Sequence, residues 1–152
     1  MNEIKPGQRA PAFKLMDQNE TEVKLSDFKD KKVLLYFYPK ALTPGCTTQA
    51  CAVTDAKAEL DKLNIVPLAV SPDKPSLLKK FVDKKSLNFT LLSDPDHAIA
   101  EEYGVWQEKK MYGKTYMGIV RSSFLIDETG KVTHAWYKVK PNDTVPNAIK
   151  AV

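Results

Sequence analysis

The chain has 152 residues, a formal net charge of +4 at pH 7, and hydrophobic and charged fractions of 43% and 28%. These values are typical of one globular domain, residues 1–152, with a core that needs no disulfide and no segment apolar enough for a signal peptide or a membrane span. Because 21 of the 23 basic residues are lysines scattered among acids, we expect a soluble cytoplasmic protein that binds neither nucleic acid nor membranes.

The first third of the chain predicts a hairpin, a strand and a long helix. Residues 13–15 and 22–25 alternate apolar and polar side chains around the polar "DQNE", which predicts a hairpin. Residues 33–38 are apolar throughout and predict a strand that is buried on both faces. From residue 44 to residue 63, apolar side chains recur at three- and four-residue spacing, which predicts one helix.

The middle of the chain continues the alternation of strands and helices. Residues 65–71, "IVPLAVS", predict a strand, and residues 76–85 predict a second helix with one apolar face. Residues 89–96 predict a short strand followed by a turn. Residues 97–105 predict a short helix that Gly104 ends.

The last third predicts two hairpins and a helix. Residues 107–118 have mixed character and predict a loop or an edge hairpin, whereas residues 123–137 predict a clear hairpin around Gly130. Residues 142–152 predict a final helix. The whole pattern indicates a three-layer α/β fold with a mixed sheet, in which ligands bind beyond the carboxyl ends of strands. The segment "PKALTPGC" lies at such an end.

Cys46 lies in the segment "TPGC", which predicts the first turn of the long helix. Thr43 is suited to the N-cap and Pro44 to the first helical position, which puts Cys46 third in the helix. Free N–H groups and the positive end of the helix dipole stabilise an anion there. Since the thiolate is the reactive form of cysteine, the segment predicts an activated thiol; the alternative is a small buried apolar residue.

Cys51 follows Cys46 by five residues, and these are the two cysteines of the chain. On a regular helix they lie about 140° apart with Cα atoms roughly 8–9 Å from each other, whereas a disulfide requires less than about 7 Å. A static disulfide is therefore incompatible with the helix. The C-x4-C spacing is too wide for a zinc knuckle, and His97 and His134 lie on separate elements as ordinary surface or turn residues.

The remaining interpretation is a redox pair that changes conformation. Oxidation of Cys46 by a peroxide gives a sulfenic acid, and Cys51 condenses with it once the first turns of the helix melt. The segment "TPGCTTQ" contains Gly45, Thr47 and Thr48, which all have low helix propensity. The sequence therefore favours such melting.

Arginine occurs at two positions, Arg9 and Arg121. A guanidinium offers a permanently charged, planar fork of donors that lysine does not have. Each arginine is therefore a candidate for binding an anion, and a surface ion pair is the alternative.

The stretch "YFYPKALTPGCTTQAC" resembles the active-site segment of the peroxiredoxins. Their signature is a proline, a threonine or serine four residues later, and a cysteine three residues after that; here these are Pro39, Thr43 and Cys46. The second cysteine and the segments "SDPDHAIAEEYGVW" and "GIVRSSFLID" resemble the bacterioferritin-comigratory-protein (peroxiredoxin Q) branch. The likeness runs from about Lys5 to the C-terminal helix.

The resemblance implies a role for each site residue. Cys46 is the peroxidatic thiol, and Cys51 is the resolving thiol that forms an intramolecular disulfide with it. Thr43 hydrogen-bonds the peroxide, and Pro39 shields the thiolate from water. Arg121 pairs with the thiolate and the peroxide.

The resemblance also implies the fold and the activity. The fold is thioredoxin-like, with a mixed central sheet flanked by helices in three layers and an N-terminal hairpin extension. The expected enzyme is a monomer that reduces hydrogen peroxide and organic hydroperoxides in antioxidant defence. Its reductant is thioredoxin, and it needs no metal and no bound cofactor.

Two positions depart from many relatives of the family that the chain resembles. Gln49 stands where many relatives have glutamate, and Thr54 stands where many have arginine, which removes a charge from the helix that must rearrange.

Two other functions stay open from the sequence. A thiol–disulfide carrier would predict a C-x-x-C pair, which the chain lacks. A non-catalytic binding module of the same fold would leave Cys46 inert.

Overall fold

A computed structural model describes residues 3–152, which form a mixed α/β fold. The strands lie within the predicted segments or one or two residues from them. In chain order they are β1 (Lys14–Asp17), β2 (Glu22–Lys24), β3 (Lys32–Phe37), β4 (Ile65–Ser71), β5 (Thr90–Ser93), β6 (Trp106–Met111), β7 (Lys114–Ile119), β8 (Ser122–Ile126) and β9 (Val132–Trp136).

The helices alternate with the strands along most of the chain. They are α1 (Pro44–Asp55), α2 (Lys57–Lys62), α3 (Pro75–Lys85), α4 (Ala98–Glu102) and α5 (Thr144–Lys150), and short 3₁₀ turns cover Leu25–Phe28 and Pro141–Asp143. Within residues 3–152, none of the helices has the length and apolarity needed to cross a bilayer.

A seven-stranded sheet has the order β2-β1-β5-β4-β3-β8-β9. Strands β5, β4 and β3 are parallel, whereas β8 and β9 add antiparallel strands on one side and the β1–β2 hairpin adds them on the other. The parallel strands are connected through α1 and α2 and then through α3. The predicted mixed central sheet and the N-terminal hairpin are therefore confirmed.

Helices cover both faces of the sheet, and β3 lies inside it between β4 and β8, with side chains buried on both faces. Its even-numbered residues pack against α1, α2, α3 and α5, and its odd-numbered residues pack in a second cluster with α4. This is the alternation that a strand requires, because successive side chains point to opposite faces. The three-layer architecture predicted from the sequence is confirmed.

The prediction of one helix over residues 44–63 is wrong in one respect, because the structure has two helices there, divided at Ala56. The backbone there has φ −93° and ψ 2°, and α2 begins at the next residue. We call the cluster between the sheet and helices α1, α2, α3 and α5 the helix-side core. Val53 and Leu60 are both fully buried in it. Seven residues apart, they lie on nearly the same face of a regular helix, so the apolar spacing carries no sign of the break.

Two further segments are now defined. Residues 106–119 form a hairpin, β6–β7, which is one of the two predicted alternatives, and it is a separate two-stranded sheet. The final helix begins at Thr144, two residues later than predicted, because Pro141–Asp143 form a 3₁₀ turn.

Candidate active site

The segment "PKALTPGC" lies beyond the carboxyl end of β3, and the parallel strand β4 ends beside it. Asp73, two residues after β4, accepts hydrogen bonds from the Ala41 amide at 2.7 Å and from the Ser71 hydroxyl at 2.8 Å. Leu42 then takes a left-handed conformation with φ +67°. The Asp73 carboxylate thus holds the loop that leads into α1. Sequence reasoning missed it, although residues just beyond the carboxyl end of a strand are where ligands bind in such a sheet.

At the start of α1 the residues occupy the predicted helix positions, but the Thr43 side chain makes no capping hydrogen bond. Thr43 is the N-cap residue and Pro44 the first helical residue, so Cys46 is third, as expected. The Thr43 hydroxyl caps no helix N–H; instead it donates to the Lys40 carbonyl at 2.8 Å. Because that bond uses the hydroxyl proton, the lone pairs of the oxygen remain as acceptors. Pro39 is half-buried at the beginning of the same loop.

The Cys46 thiol is buried, with 2% of the residue exposed, and it contacts Arg121. Nη2 of Arg121 donates to Cys46 Sγ at 3.4 Å. Arg121 lies between β7 and β8, and its carbonyl accepts from the Val139 amide at 2.9 Å, which fixes the backbone at this point. Two residues that are 75 positions apart in sequence therefore combine a thiol, a helix N-terminus and a permanent positive charge.

Gln49 holds the other side of the Arg121 guanidinium. Nη1 of Arg121 donates to Gln49 Oε1 at 2.6 Å, and Gln49 Nε2 donates to the Thr144 hydroxyl at 2.8 Å. Gln49 and Thr144 have no exposed surface. The sequence drew attention to Gln49 only as a departure from relatives, and it gave no indication of Thr144, which lies on the C-terminal helix.

Lys109 on β6 is a further cation close to the site. Its ammonium donates to the Ile119 carbonyl at 2.9 Å, two residues before Arg121. Burial lowers the pKa of Lys109, the Arg121 guanidinium lowers it further, and the Cys46 thiolate opposes both. The sequence did not single out this residue, because it is one of many lysines and the hairpin that carries it is distant from Cys46 in the chain.

Two buried phenols, those of Tyr36 and Tyr38, lie in the helix-side core together with Cys46. Burial raises the pKa of both phenols well above the usual range. Both therefore stay protonated at neutral pH. They contribute bulk to the site and do not act as bases.

Both cysteines are free thiols in α1, with Cys46 buried and Cys51 half-buried. The regular helix keeps their Cα atoms about 8–9 Å apart, beyond the reach of a disulfide. The geometric argument made from the sequence therefore applies to this conformation.

The histidines lie away from these residues. His97 stacks on Trp106 with ring centroids 3.8 Å apart, and His134 packs against Trp136 on β9. Across the part of the chain that the structure describes, no group of three or more histidine, cysteine, aspartate or glutamate side chains is placed to hold a metal ion.

The second arginine, Arg9, is exposed and contacts the Thr129 carbonyl at 3.3 Å. It borders a cavity of about 360 Å³ whose lining includes Val33 and Gly130. That cavity lies at the amino end of β3 and includes none of the residues around Cys46. The two arginines are therefore separated in space, and only Arg121 contacts a thiol.

Comparison with known proteins identifies similar chains over nearly the whole length. The model of the AhpC/TSA family matches residues 6–135. The chain is 59% identical to the putative peroxiredoxin bcp of Haemophilus influenzae over 143 residues, which cover 94% of this chain and 92% of the relative. It is 51% identical to peroxiredoxin Bcp of Escherichia coli K12, with 99% and 98% covered.

The fold is likewise similar to that of a solved relative. The bacterioferritin comigratory protein of Xanthomonas campestris, studied for its alkyl peroxide reduction activity, superposes with a TM-score of 0.89 at 34% identity. The superposition covers 97% of this chain and 96% of that one.

Proposed function

The chain belongs to the AhpC/TSA family and is a peroxiredoxin of the Bcp, or peroxiredoxin Q, type, and we propose that it reduces hydroperoxides with Cys46 as the attacking thiolate. The family, the enzyme class and the thioredoxin-like fold predicted from the sequence are confirmed by these relatives. The observation that carries the proposal for Cys46 is the contact of its sulfur with Nη2 of Arg121 at the start of α1.

In the first proposed step, the Cys46 thiolate attacks the terminal oxygen of a hydroperoxide. A sulfur–oxygen bond forms, the O–O bond breaks, and the sulfur is oxidised by two electrons to a sulfenic acid. The leaving oxygen departs with the electron pair as hydroxide or alkoxide and takes up a proton to give water or an alcohol. Negative charge moves from the sulfur to the leaving oxygen, so fixed donors near the leaving oxygen lower the barrier, whereas a cation beside the sulfur favours the reactive thiolate form.

The surrounding residues match this movement of charge. Arg121 keeps a permanent positive charge beside the sulfur, and its position is fixed by Gln49. The Thr43 hydroxyl, whose proton is donated to Lys40, offers its lone pairs to the O–H of the hydroperoxide. Pro39, half-buried in the same loop, shields the thiolate from water in this proposal and adds no N–H that would compete for it.

In the second proposed step, the Cys51 thiol condenses with the sulfenic acid. The Cys46–Cys51 disulfide forms and one water leaves, so no further oxidant is needed. Because helical Cys46 and Cys51 are too far apart, the first turns of α1 must open before this bond forms. An exposed disulfide then accepts two electrons from a dithiol reductant such as thioredoxin, which returns both thiols.

This cycle needs one chain, a hydroperoxide and a dithiol protein. We therefore propose a monomeric cytoplasmic enzyme in antioxidant defence, with hydrogen peroxide and organic hydroperoxides as substrates and neither a metal nor a bound cofactor. An intramolecular resolving thiol supports the monomer, because no cysteine from a second subunit is required.

The test measures thiol loss and turnover in matched variants. One equivalent of hydrogen peroxide should remove both thiols of the wild-type protein without a cross-linked dimer. Cys46→Ser should consume no peroxide with a thioredoxin system. Cys51→Ser should reduce one equivalent and then stop. Continued turnover by Cys46→Ser would refute the assignment of Cys46, and full turnover by Cys51→Ser would remove Cys51 from the cycle.

A further inference from the structure

Thr144, the first residue of α5, makes a buried hydrogen bond to the middle of α1. Gln49 Nε2 donates to Thr144 Oγ1 at 2.8 Å, and neither residue has any exposed surface. The next residue, Val145, packs in the same helix-side core as Ala50 of α1. A buried hydrogen bond therefore joins the two helices beside apolar side chains of that core.

The direction of each hydrogen bond around Gln49 follows from the chemistry of Arg121. A guanidinium can only donate, so Gln49 must present Oε1 to it, which turns the amide nitrogen toward Thr144. That nitrogen can only donate, so the Thr144 hydroxyl must accept. Gln49 is thus held at both ends, and it lies between Cys46 and Cys51 in the segment that must open.

We propose that Thr144 is a positioning residue that keeps α1 in its folded, closed conformation around Cys46. It thereby sets how often the helix opens for the disulfide to form. This inference rests on the proposed function, in which opening of α1 precedes the Cys46–Cys51 bond. The Thr144 hydroxyl matters only in the closed state, because in the open state both it and the Gln49 amide can bond to water.

The consequence is a balance between two competing reactions of the sulfenic acid. A closed α1 keeps Arg121 and Cys46 aligned for the first step, but it delays Cys51. A second hydroperoxide can then oxidise the waiting sulfenic acid to a sulfinic acid, losing water or an alcohol as before. The Gln49–Thr144 bond should therefore favour the first step and raise the exposure of Cys46 to overoxidation.

The experiment compares Thr144→Val, which keeps the shape and removes the acceptor, with Thr144→Ser, which keeps the hydroxyl. Stopped-flow fluorescence and rapid acid quench with mass spectrometry would give the rates of sulfenic acid formation and of disulfide formation separately. In Thr144→Val, disulfide formation should be faster by about five- to tenfold, because a buried amide donor loses its partner in the closed state. The sulfinic acid fraction at high hydrogen peroxide should fall by a similar factor. Thr144→Ser should restore wild-type behaviour in both.

A second control separates this role from general loosening of α5. Val145→Ala removes buried apolar volume beside Thr144 and leaves the hydrogen bond to Gln49 in place. It should lower the unfolding free energy without accelerating disulfide formation. Thr144→Ala, which removes the hydroxyl without adding a methyl group, serves where Thr144→Val does not fold.

The possible results distinguish the two proposals. If wild-type protein forms no Cys46–Cys51 disulfide with peroxide, the proposed function itself fails. If wild type forms the disulfide and the hydroxyl-free variants form it at the same rate, the role of Thr144 is overturned. An acceleration in Val145→Ala equal to that in Thr144→Val would also overturn it.

Discussion

A β-carbon added at Gly45 would lie 3.2 Å from Nη2 of Arg121. Real β-carbons rarely come so close to another atom, and Arg121 cannot easily retreat, because Gln49 and Cys46 hold its guanidinium. Gly45 thus allows the guanidinium to lie against the first turn of α1, next to the thiol. The glycine that lowers the helix propensity of this turn also makes room for the Arg121 guanidinium.

Gly45→Ala should therefore separate activity from stability. The added methyl group should displace Arg121 by a few tenths of an ångström and slow Cys46 oxidation by about tenfold, because preorganised donors lose effect when misplaced. The unfolding free energy should stay level or rise by up to about 1 kcal/mol, since alanine is the better helix former. Peroxide stopped-flow and thermal melts check both values; wild-type kinetics would contradict the steric argument.

Arg121→Lys should show that the forked guanidinium matters beyond its charge. Lysine keeps one positive charge but cannot donate to Cys46 and Gln49 from one rigid plane. We expect the second-order rate constant for peroxide reduction to fall by about 10²–10³. Arg9→Lys is the matched control, because Arg9 is exposed beside the distant cavity, and it should leave the rate constant unchanged. An equal loss in both variants would argue against the assignment.

Thr54 should affect α1 in the opposite sense to Thr144. Its hydroxyl is buried and has no hydrogen-bond partner among the described residues. Thr54→Val removes this unsatisfied group at nearly constant shape, so it should stabilise the closed helix by about 1 kcal/mol and slow disulfide formation roughly fivefold. Thr48→Val, at an exposed position of the same helix, is the control for the change in helix propensity. Faster disulfide formation in Thr54→Val would be the contrary result.

Lys109 should make the rate constant of Cys46 oxidation fall at alkaline pH, a decline we call the alkaline limb of the pH profile. Its pKa is lowered by burial and by Arg121, so it loses its proton at a lower pH than ordinary lysines, and the positive charge beside the thiolate is lost with it. The rate constant should therefore fall as pH rises toward this lowered pKa.

Variants at the same strand identify the group responsible for that limb. Lys109→Arg, which stays charged, should flatten the alkaline limb. Lys109→Met should lower the rate roughly two- to fivefold at neutral pH and also abolish the limb. Lys110→Met, an exposed neighbour, should keep the wild-type profile. An unchanged limb in Lys109→Met would assign it to another group.

Much of the fold follows from local patterns in the sequence. The sequence predicts the buried strand β3, the start of α1 and the end of α4 just before Gly104, because each depends on residues within one or two turns. The break at Ala56 was missed, because a change in backbone direction that keeps the same face buried leaves the apolar spacing intact. Thr43 is the N-cap residue as predicted, but its hydroxyl donates to the Lys40 carbonyl and caps no helix N–H.

The candidate site likewise has parts that the sequence predicts and parts that only the tertiary structure shows. The sequence by itself determined that Cys46 begins a helix and that Cys51 cannot reach it while that helix is intact, since both statements need only helix geometry. Arg121 was expected through the family resemblance alone, and only the tertiary structure brings its guanidinium to the Cys46 sulfur, Thr144 to Gln49 and Lys109 near Arg121. Their places depend on how strands pair and helices pack across more than fifty residues of chain. Local propensity carries no information about such contacts, because they form only when the separated elements are buried together.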